Sequence, residues 1–278
     1  MRYVLTRDAE EFAARTERLL SERIECNVLA TVLMRVLDGG LRDPGPLFAY
    51  GLATGDEVRF AALRTPPFPL LASPLGDDAG GFVEQWLKED PEVAAVTGVP
   101  ETARAIATAW ARRTGGSTRI RMHEAMHVLG EVRDPPRPAP GALRIADPDD
   151  RDLLVGWMEE FVHEANLAGA TQAAAMVDAS MRRQGLLVWE DGRPVSMIGV
   201  NPAVAGVVRI GPVYTPPPCR RRGYAGSAVA AASRRALVAD AQRCMLFTDL
   251  ANPTSNKIYA EVGYCRVGDW EEIELGTG

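Results

Sequence analysis

The chain has 278 residues, 46% of them hydrophobic and 24% charged, with a net charge of −6 and an isoelectric point near 5.3. That is apolar material for one large domain or two ordinary ones. The acidic balance argues against nucleic-acid binding, and no apolar run approaches the roughly twenty residues of a membrane span. Two helical stretches come first, at 9–21 and 24–37, followed by strands at 47–52, 58–64 and 70–72. A helix at 81–88, a strand at 93–97, a helix at 102–113 and a strand at 118–132 complete the first half.

Within that last stretch, His123-Glu124-Ala125-Met126-His127-Val128-Leu129-Gly130 matches the zinc-hydrolase pattern H-E-x-x-H-x-x-G. On a helix the two imidazoles would share a face, with Glu124 as base. Arg119, Ile120, Arg121 and Met122 instead lead into it with period-two alternation. A strand is therefore expected, with the histidines on one side and Glu124 on the other. Arg133 stands where a third histidine is needed, and the remaining histidine, His163, belongs to the other half. No metal is expected, and a zinc hydrolase stays only as an alternative reading.

Asp134-Pro135-Pro136-Arg137-Pro138-Ala139-Pro140-Gly141 puts four prolines in eight residues, which fits a stiff extended connector. The expected division is an accessory domain at 1–133, a linker at 134–141 and a second domain at 142–278. The second half reads as a strand at 143–146, helices at 152–168 and 171–184, a strand at 186–190, a turn at Asp191-Gly192, and strands at 195–200 and 207–215. Pro216, Pro217 and Pro218 end that ladder. An alanine-rich helix at 227–239 and a strand at 243–249 follow. A final helix is capped by Asn252, has Pro253 at its first position and exits at Gly263.

Between the 207–215 strand and the alanine-rich helix lies Arg220-Arg221-Arg222-Gly223-Tyr224-Ala225-Gly226. A strand, a glycine-bearing turn and a helix N-terminus make an anion site, because unpaired amides and the positive end of the helix dipole converge there. Neither G-x-G-x-x-G nor Gly-Lys-Ser/Thr is present. The spacing Arg220-x-x-Gly223-x-Ala225 resembles the R/Q-x-x-G-x-G/A signature of the GNAT acyltransferase superfamily. The next strand leads into Asn252, Asn256 and Tyr259 on a helix closing at Gly263-Tyr264, as it does in that superfamily. The resemblance covers about 143–275. Two departures stand out: Pro218 replaces a usual Glu, and Arg221 a frequent Gly.

The resemblance implies an α/β GNAT fold, a mixed and mostly antiparallel sheet flanked by helices. The first half has a matching element order without a phosphate turn and reads as a degenerate GNAT-like repeat. Where the turn should sit, Ser73 to Gly81 carries Asp77 and Asp78, which would repel a phosphate. By the same resemblance, acetyl-CoA would rest its pyrophosphate on the turn formed by Arg220, Arg221, Arg222, Gly223, Tyr224, Ala225 and Gly226. Its pantetheine arm would run along Val213, Tyr214 and Thr215, with Asn256 as a further contact and Asn252 as contact or helix cap. The Val213 amide would polarise the thioester carbonyl, and Tyr259 would act as general acid on the departing thiolate. Glu160 and Glu164 are candidate bases, with His163, Asp249 and a water relay left open.

The implied activity is N-acetyl transfer to a primary amine of a small molecule or protein by direct attack. A coenzyme A-binding regulatory protein without turnover is the alternative. Cys26, Cys219, Cys244 and Cys265 form no C-x-x-C pair, and Met1 to Asp8 lacks the apolar core of a signal peptide, so a cytoplasmic protein, monomer or homodimer, is expected. The arginines beside Cys219 would favour its thiolate. Lys88 and Lys257 are the chain's two lysines, a bias that suggests a GC-rich bacterial genome.

Overall fold

A computed structural model describes residues 1–39, 45–165, 172–239 and 241–276. The end of the expected 152–168 helix, from 166, and Thr171 at the start of the next lie outside the described residues. The chain divides into two compact units, Met1–Glu124 with Gly268–Gly278, and Ala125–Val267.

The first unit runs β1 (Arg2–Thr6), α1 (Ala9–Glu22), α2 (Asn27–Leu37), β2 (Leu47–Leu52), β3 (Val58–Arg64), β4 (Leu70–Ala72), α3 (Ala79–Glu89), β5 (Ala95–Gly98) and α4 (Pro100–Thr114). It closes with residues 117–124 of β6 (Ser117–Leu129) and 268–276 of β12 (Cys265–Gly276). Its strands lie in the order β1-β2-β3-β4-β5-β12-β6. The β4–β5 pair is parallel and is joined across α3, while β1–β2, β2–β3, β3–β4 and β12–β5 are antiparallel. The helical stretches expected first are preceded by β1. That five-residue strand is too short to show a period by itself, and it exists because it pairs with β2, Val4 opposite Tyr50. The core closes on Phe60, Phe82 and Trp86, with Ile273 and Leu275 of β12 contributed from the far end of the chain.

The second unit takes residues 125–129 of β6, then β7 (Ala142–Ile145), α5 (Arg151–Glu164), α6 (Ala173–Arg182), β8 (Leu186–Glu190), β9 (Pro194–Val200), β10 (Val207–Tyr214), α7 (Tyr224–Val238), β11 (Arg243–Asp249) and α8 (Pro253–Val262). Its strand order is β6-β11-β10-β9-β8-β7. Here β10–β11 is the parallel pair, joined across α7, and β7–β8, β8–β9 and β9–β10 are antiparallel. Both units thus repeat one plan, in which a helix links the two parallel strands of a mostly antiparallel sheet.

The proline-rich segment at 134–141 lies within the second unit and runs along α7. The Ala139 amide donates to Ser227 Oγ at 2.8 Å, and Trp189 Nε1 donates to the Pro140 carbonyl at 2.8 Å. With few amides of their own to satisfy, the prolines can lie on a helix at little hydrogen-bonding cost. Residues 123–127, the H-E-x-x-H match, lie in β6, so about 13 Å of extended chain separates the two histidines. His123 is exposed, 3.8 Å from Asp269, whereas His127 is buried. Among the described residues no group of three His, Cys, Asp or Glu side chains could hold a metal ion.

Candidate active site

The site is built at the open end of the parallel pair. β10 pairs with β11 only through Val207, Val208 and Arg209, opposite Arg243, Cys244 and Met245. On its other side β10 stays paired with β9 as far as Tyr214, with a register shift between Ile210 and Val213. Bulges of this kind re-aim a strand. From Ile210 to Tyr214, β10 therefore has an edge without a strand partner, and Val213 and Tyr214 lie on it. Across the gap, Thr248 of β11 is buried and its hydroxyl has no hydrogen-bond partner among the described residues.

From that edge the chain enters the arginine turn. Arg221 has φ 63° and Gly223 φ 83°, both left-handed. Gly223 is the N-cap of α7 and supplies no side-chain cap. The helix's first bond runs from the Ser227 amide to the Gly223 carbonyl at 3.0 Å, so the amides of Tyr224, Ala225 and Gly226 have no carbonyl behind them within the helix. Two groups from elsewhere in the unit, Asp191 and the 134–141 segment, hold this terminus. Tyr224 Oη donates to Asp191 at 2.6 Å, the 134–141 segment packs beside it, and a Cβ at Gly223 would meet the Arg137 carbonyl oxygen at 2.8 Å. Arg221 and Arg222 are exposed, and Cys219 is buried in the core beneath them.

Arg220 takes a different course. Its Nε donates to the Thr215 carbonyl at 2.8 Å, and its Nη2 donates to both Glu164 oxygens at 2.7 and 2.8 Å. The guanidinium lies over the Tyr214 ring, 5.6 Å from its centroid. Tyr214 Oη donates to Glu160 at 2.7 Å and lies 3.4 Å from Glu164. Burial first, then the bond to Glu160 and the charge of Glu164, raise the Tyr214 phenol above its ordinary value, against the pull of Arg220. Ser196 Oγ donates to the Tyr214 carbonyl at 2.9 Å and lies 2.9 Å from Thr215 Oγ1. Beside this group is a shallow cavity of about 360 Å³ lined by Glu159, Glu160, His163, Glu164, Tyr214 and Pro217.

The remaining candidates sit on α8. Asn252 caps the helix, its side chain accepting from the Ser255 amide at 3.1 Å. Asn256 Nδ2 donates to the carbonyls of Asp249 and Asn252 at 3.0 and 2.8 Å, tying α8 to the end of β11. Tyr259 packs edge-on against Tyr264 at 6.1 Å within the core, and burial pushes its phenol up to about 12. Among the described residues its hydroxyl makes no hydrogen bond. The structure thus joins Glu160, Glu164, Tyr214, Thr215 and Arg220 in one bonded group. It gathers Arg221 to Gly226 at the start of α7, and keeps Asn252, Asn256 and Tyr259 on α8. Ser196 and Asp191 escape a motif search because each acts through a partner remote in sequence.

The first unit has a larger cavity, about 630 Å³, lined by Asp77, Gly80, Glu84, Arg104 and Thr108 among others. It lies where α3 begins, but there Asp78 caps the helix, accepting from the Gly81 amide at 3.1 Å. A carboxylate already fills the place an incoming anion would need.

Residues 149–264 match the family model described as the acetyltransferase (GNAT) family. No curated protein sequence matches the chain. Among solved structures, a GNAT-family acetyltransferase from Colwellia psychrerythraea superposes over 100% of both chains with a TM-score of 0.60 at 9% identity. A GCN5-related N-acetyltransferase from Sphaerobacter thermophilus covers 99% of this chain and 96% of its own, with a TM-score of 0.59 at 14% identity. A tandem GNAT protein from the clavulanic acid biosynthesis pathway covers 100% and 98%, with a TM-score of 0.59 at 12% identity. Residues 149–264 thus match the acetyltransferase (GNAT) family model, and the chain along its whole length has the fold of these solved GNAT structures, a tandem GNAT protein among them.

Proposed function

We propose that this domain transfers an acetyl group from acetyl-CoA to a primary amine of a small molecule or protein, by direct attack of the amine. The observation that carries the reading is the parting of β10 from β11 after Arg209, which leaves a free extended edge leading to the start of α7. An extended chain can add to such an edge as a strand does, and a helix terminus of this kind receives a phosphate. Bound acetyl-CoA supplies the activated acyl group. The residues present fit it: helix-start amides at Tyr224, Ala225 and Gly226, exposed cations at Arg221 and Arg222, and a buried Thr248 hydroxyl without a partner among the described residues.

In this reading Val213 and Thr215 offer backbone groups along the free edge, and the Val213 amide polarises the carbonyl under attack. Tyr259 donates the proton that the departing sulfur needs, and with its phenol at about 12 it is protonated at neutral pH. The carboxylates of Glu159 and Glu160 beside the cavity suit an amine that arrives as a cation, and Glu160 is the candidate to take its proton. Asn252 and Asn256 act by setting α8 against β11, which places Tyr259.

The test is a thermal shift with acetyl-CoA, followed by thiol release across a panel of amines. The expected result is a shift at sub-millimolar coenzyme and release with at least one amine. The absence of any shift at millimolar coenzyme sinks the reading, and a shift without release for any amine leaves a coenzyme-binding protein that does not turn over.

A further inference from the structure

Arg220 opens the turn, yet its guanidinium is committed elsewhere: to the Thr215 carbonyl, to both oxygens of Glu164 and to the face of Tyr214. The turn that follows has little to hold its own shape. It contains a left-handed arginine at Arg221 and a left-handed glycine at Gly223, and no side chain caps the helix it starts. A terminus of that kind keeps its amides in register only if ties from outside fix it. On the helix side the ties are Tyr224 to Asp191 and the Ala139 amide to Ser227. On the strand side the tie is Arg220, held by α5 through Glu164.

We propose that Glu164 is a positioning residue for the coenzyme turn, acting through Arg220, and is not the base that deprotonates the amine. The inference rests on the acetyl-CoA reading above. Both Glu164 oxygens are occupied by Arg220, whereas Glu160 accepts from Tyr214 through Oε2 and keeps Oε1 without a donor among the described residues. The Arg220–Glu164 pair is about half exposed, 41% and 46%, so it contributes little to global stability. Its effect is on geometry, and displacements of about 1 Å in a binding element are enough to cost affinity or rate.

The experiment compares wild type, Glu164→Gln, Arg220→Gln and the double variant. Coenzyme A binding is followed by calorimetry, acetyl-CoA turnover by steady-state kinetics, and unfolding by heat. Glu164→Gln is expected to weaken coenzyme A binding and raise KM for acetyl-CoA by about three- to tenfold, the worth of one charge-assisted tie. Its kcat and the pH profile of kcat stay those of wild type, and its Tm moves by no more than about 2 °C. Arg220→Gln reproduces the loss, and the double variant is no worse than the worse single, as for two ends of one contact.

A fall in kcat with loss of its acidic limb would make Glu164 the base and overturn the inference. Tighter coenzyme binding in Glu164→Gln would overturn it too, because Glu164 would then be competing for Arg220. Unchanged binding in Glu164→Gln, against wild-type protein that binds well, removes the positioning role alone. Wild-type protein that binds no coenzyme A removes the site itself and the inference with it.

Discussion

At the scale of single residues, Arg221 and Gly223 make the sharpest contrast. Both are left-handed, and only one has the side chain suited to it. Replacing Arg221 with Gly is expected to raise stability by about 0.5–1 kcal/mol, because the strain of a left-handed non-glycine exceeds the added chain entropy of glycine. Gly223→Ala is expected to cost about 2 kcal/mol or more, since the new Cβ adds contact with the Arg137 carbonyl to the same strain. Urea unfolding of both variants checks the pair; effects of opposite sign are required. The sequence marked Arg221 as a departure from the family pattern but not why glycine is frequent there, since φ is invisible until the turn is built. Tyr259 is a candidate through the GNAT resemblance of the helix that carries Asn256 and Tyr259. Tyr259→Phe is expected to lower kcat by about 100-fold or more while coenzyme A affinity stays within about twofold. Because the Tyr259 phenol titrates at about 12, its deprotonation should produce no basic limb below about pH 10 in the wild-type rate profile.

At the scale of elements, α3 and α7 occupy the same place in their units and begin in opposite ways. Asp78 caps α3 with its own carboxylate, whereas Gly223 leaves α7 uncapped. Asp78→Ala is expected to cost about 1 kcal/mol in thermal unfolding, the usual worth of an N-cap. The two aspartates were readable in the sequence as hostile to phosphate. That one of them is itself the ligand of the helix amides depends on its φ and ψ, which composition does not reveal. β6 shows a different element-level effect. Burial first lowers the His127 pKa below the ordinary imidazole value, and the nearby Arg266 lowers it further against a bond to the Ala125 carbonyl. The unfolded chain therefore takes up this proton more readily than the folded one. Stability should be level above about pH 7, decline as pH falls through about 6.5, and level again below the folded value. His127→Gln is expected to flatten that part of a Tm-against-pH curve; an unchanged slope would assign it to other groups.

At the scale of the whole molecule, the end of the chain belongs to the unit that begins it. Within the first unit β12 lies between β5 and β6, where Trp270 Nε1 donates to Thr97 Oγ1 at 2.6 Å and the fully buried Glu271 takes two bonds from Arg104. A fragment ending at residue 133 lacks these groups, and Ile273 and Leu275 with them. Such a fragment is expected to show no cooperative thermal transition, because an inner strand and part of the core are gone; a sharp transition like that of the full chain would contradict this. Local readings were determined by the sequence alone: the short apolar runs of β2, β3, β8 and β11, the Asn252-Pro253 start and Gly263 exit of α8, and the Arg220-x-x-Gly223-x-Ala225 spacing. Each of these is set by residues a few positions apart, through periodicity, capping and turn conformation. Tertiary structure decided the rest. It returned residues 268–276 to the first unit, laid the prolines of 134–141 along α7, and tied Arg220, which the resemblance put in the coenzyme turn, to Glu164, 56 residues away. Nothing in a local pattern encodes such pairings, because closing a longer loop costs only slightly more entropy and complementary partners can meet across any separation.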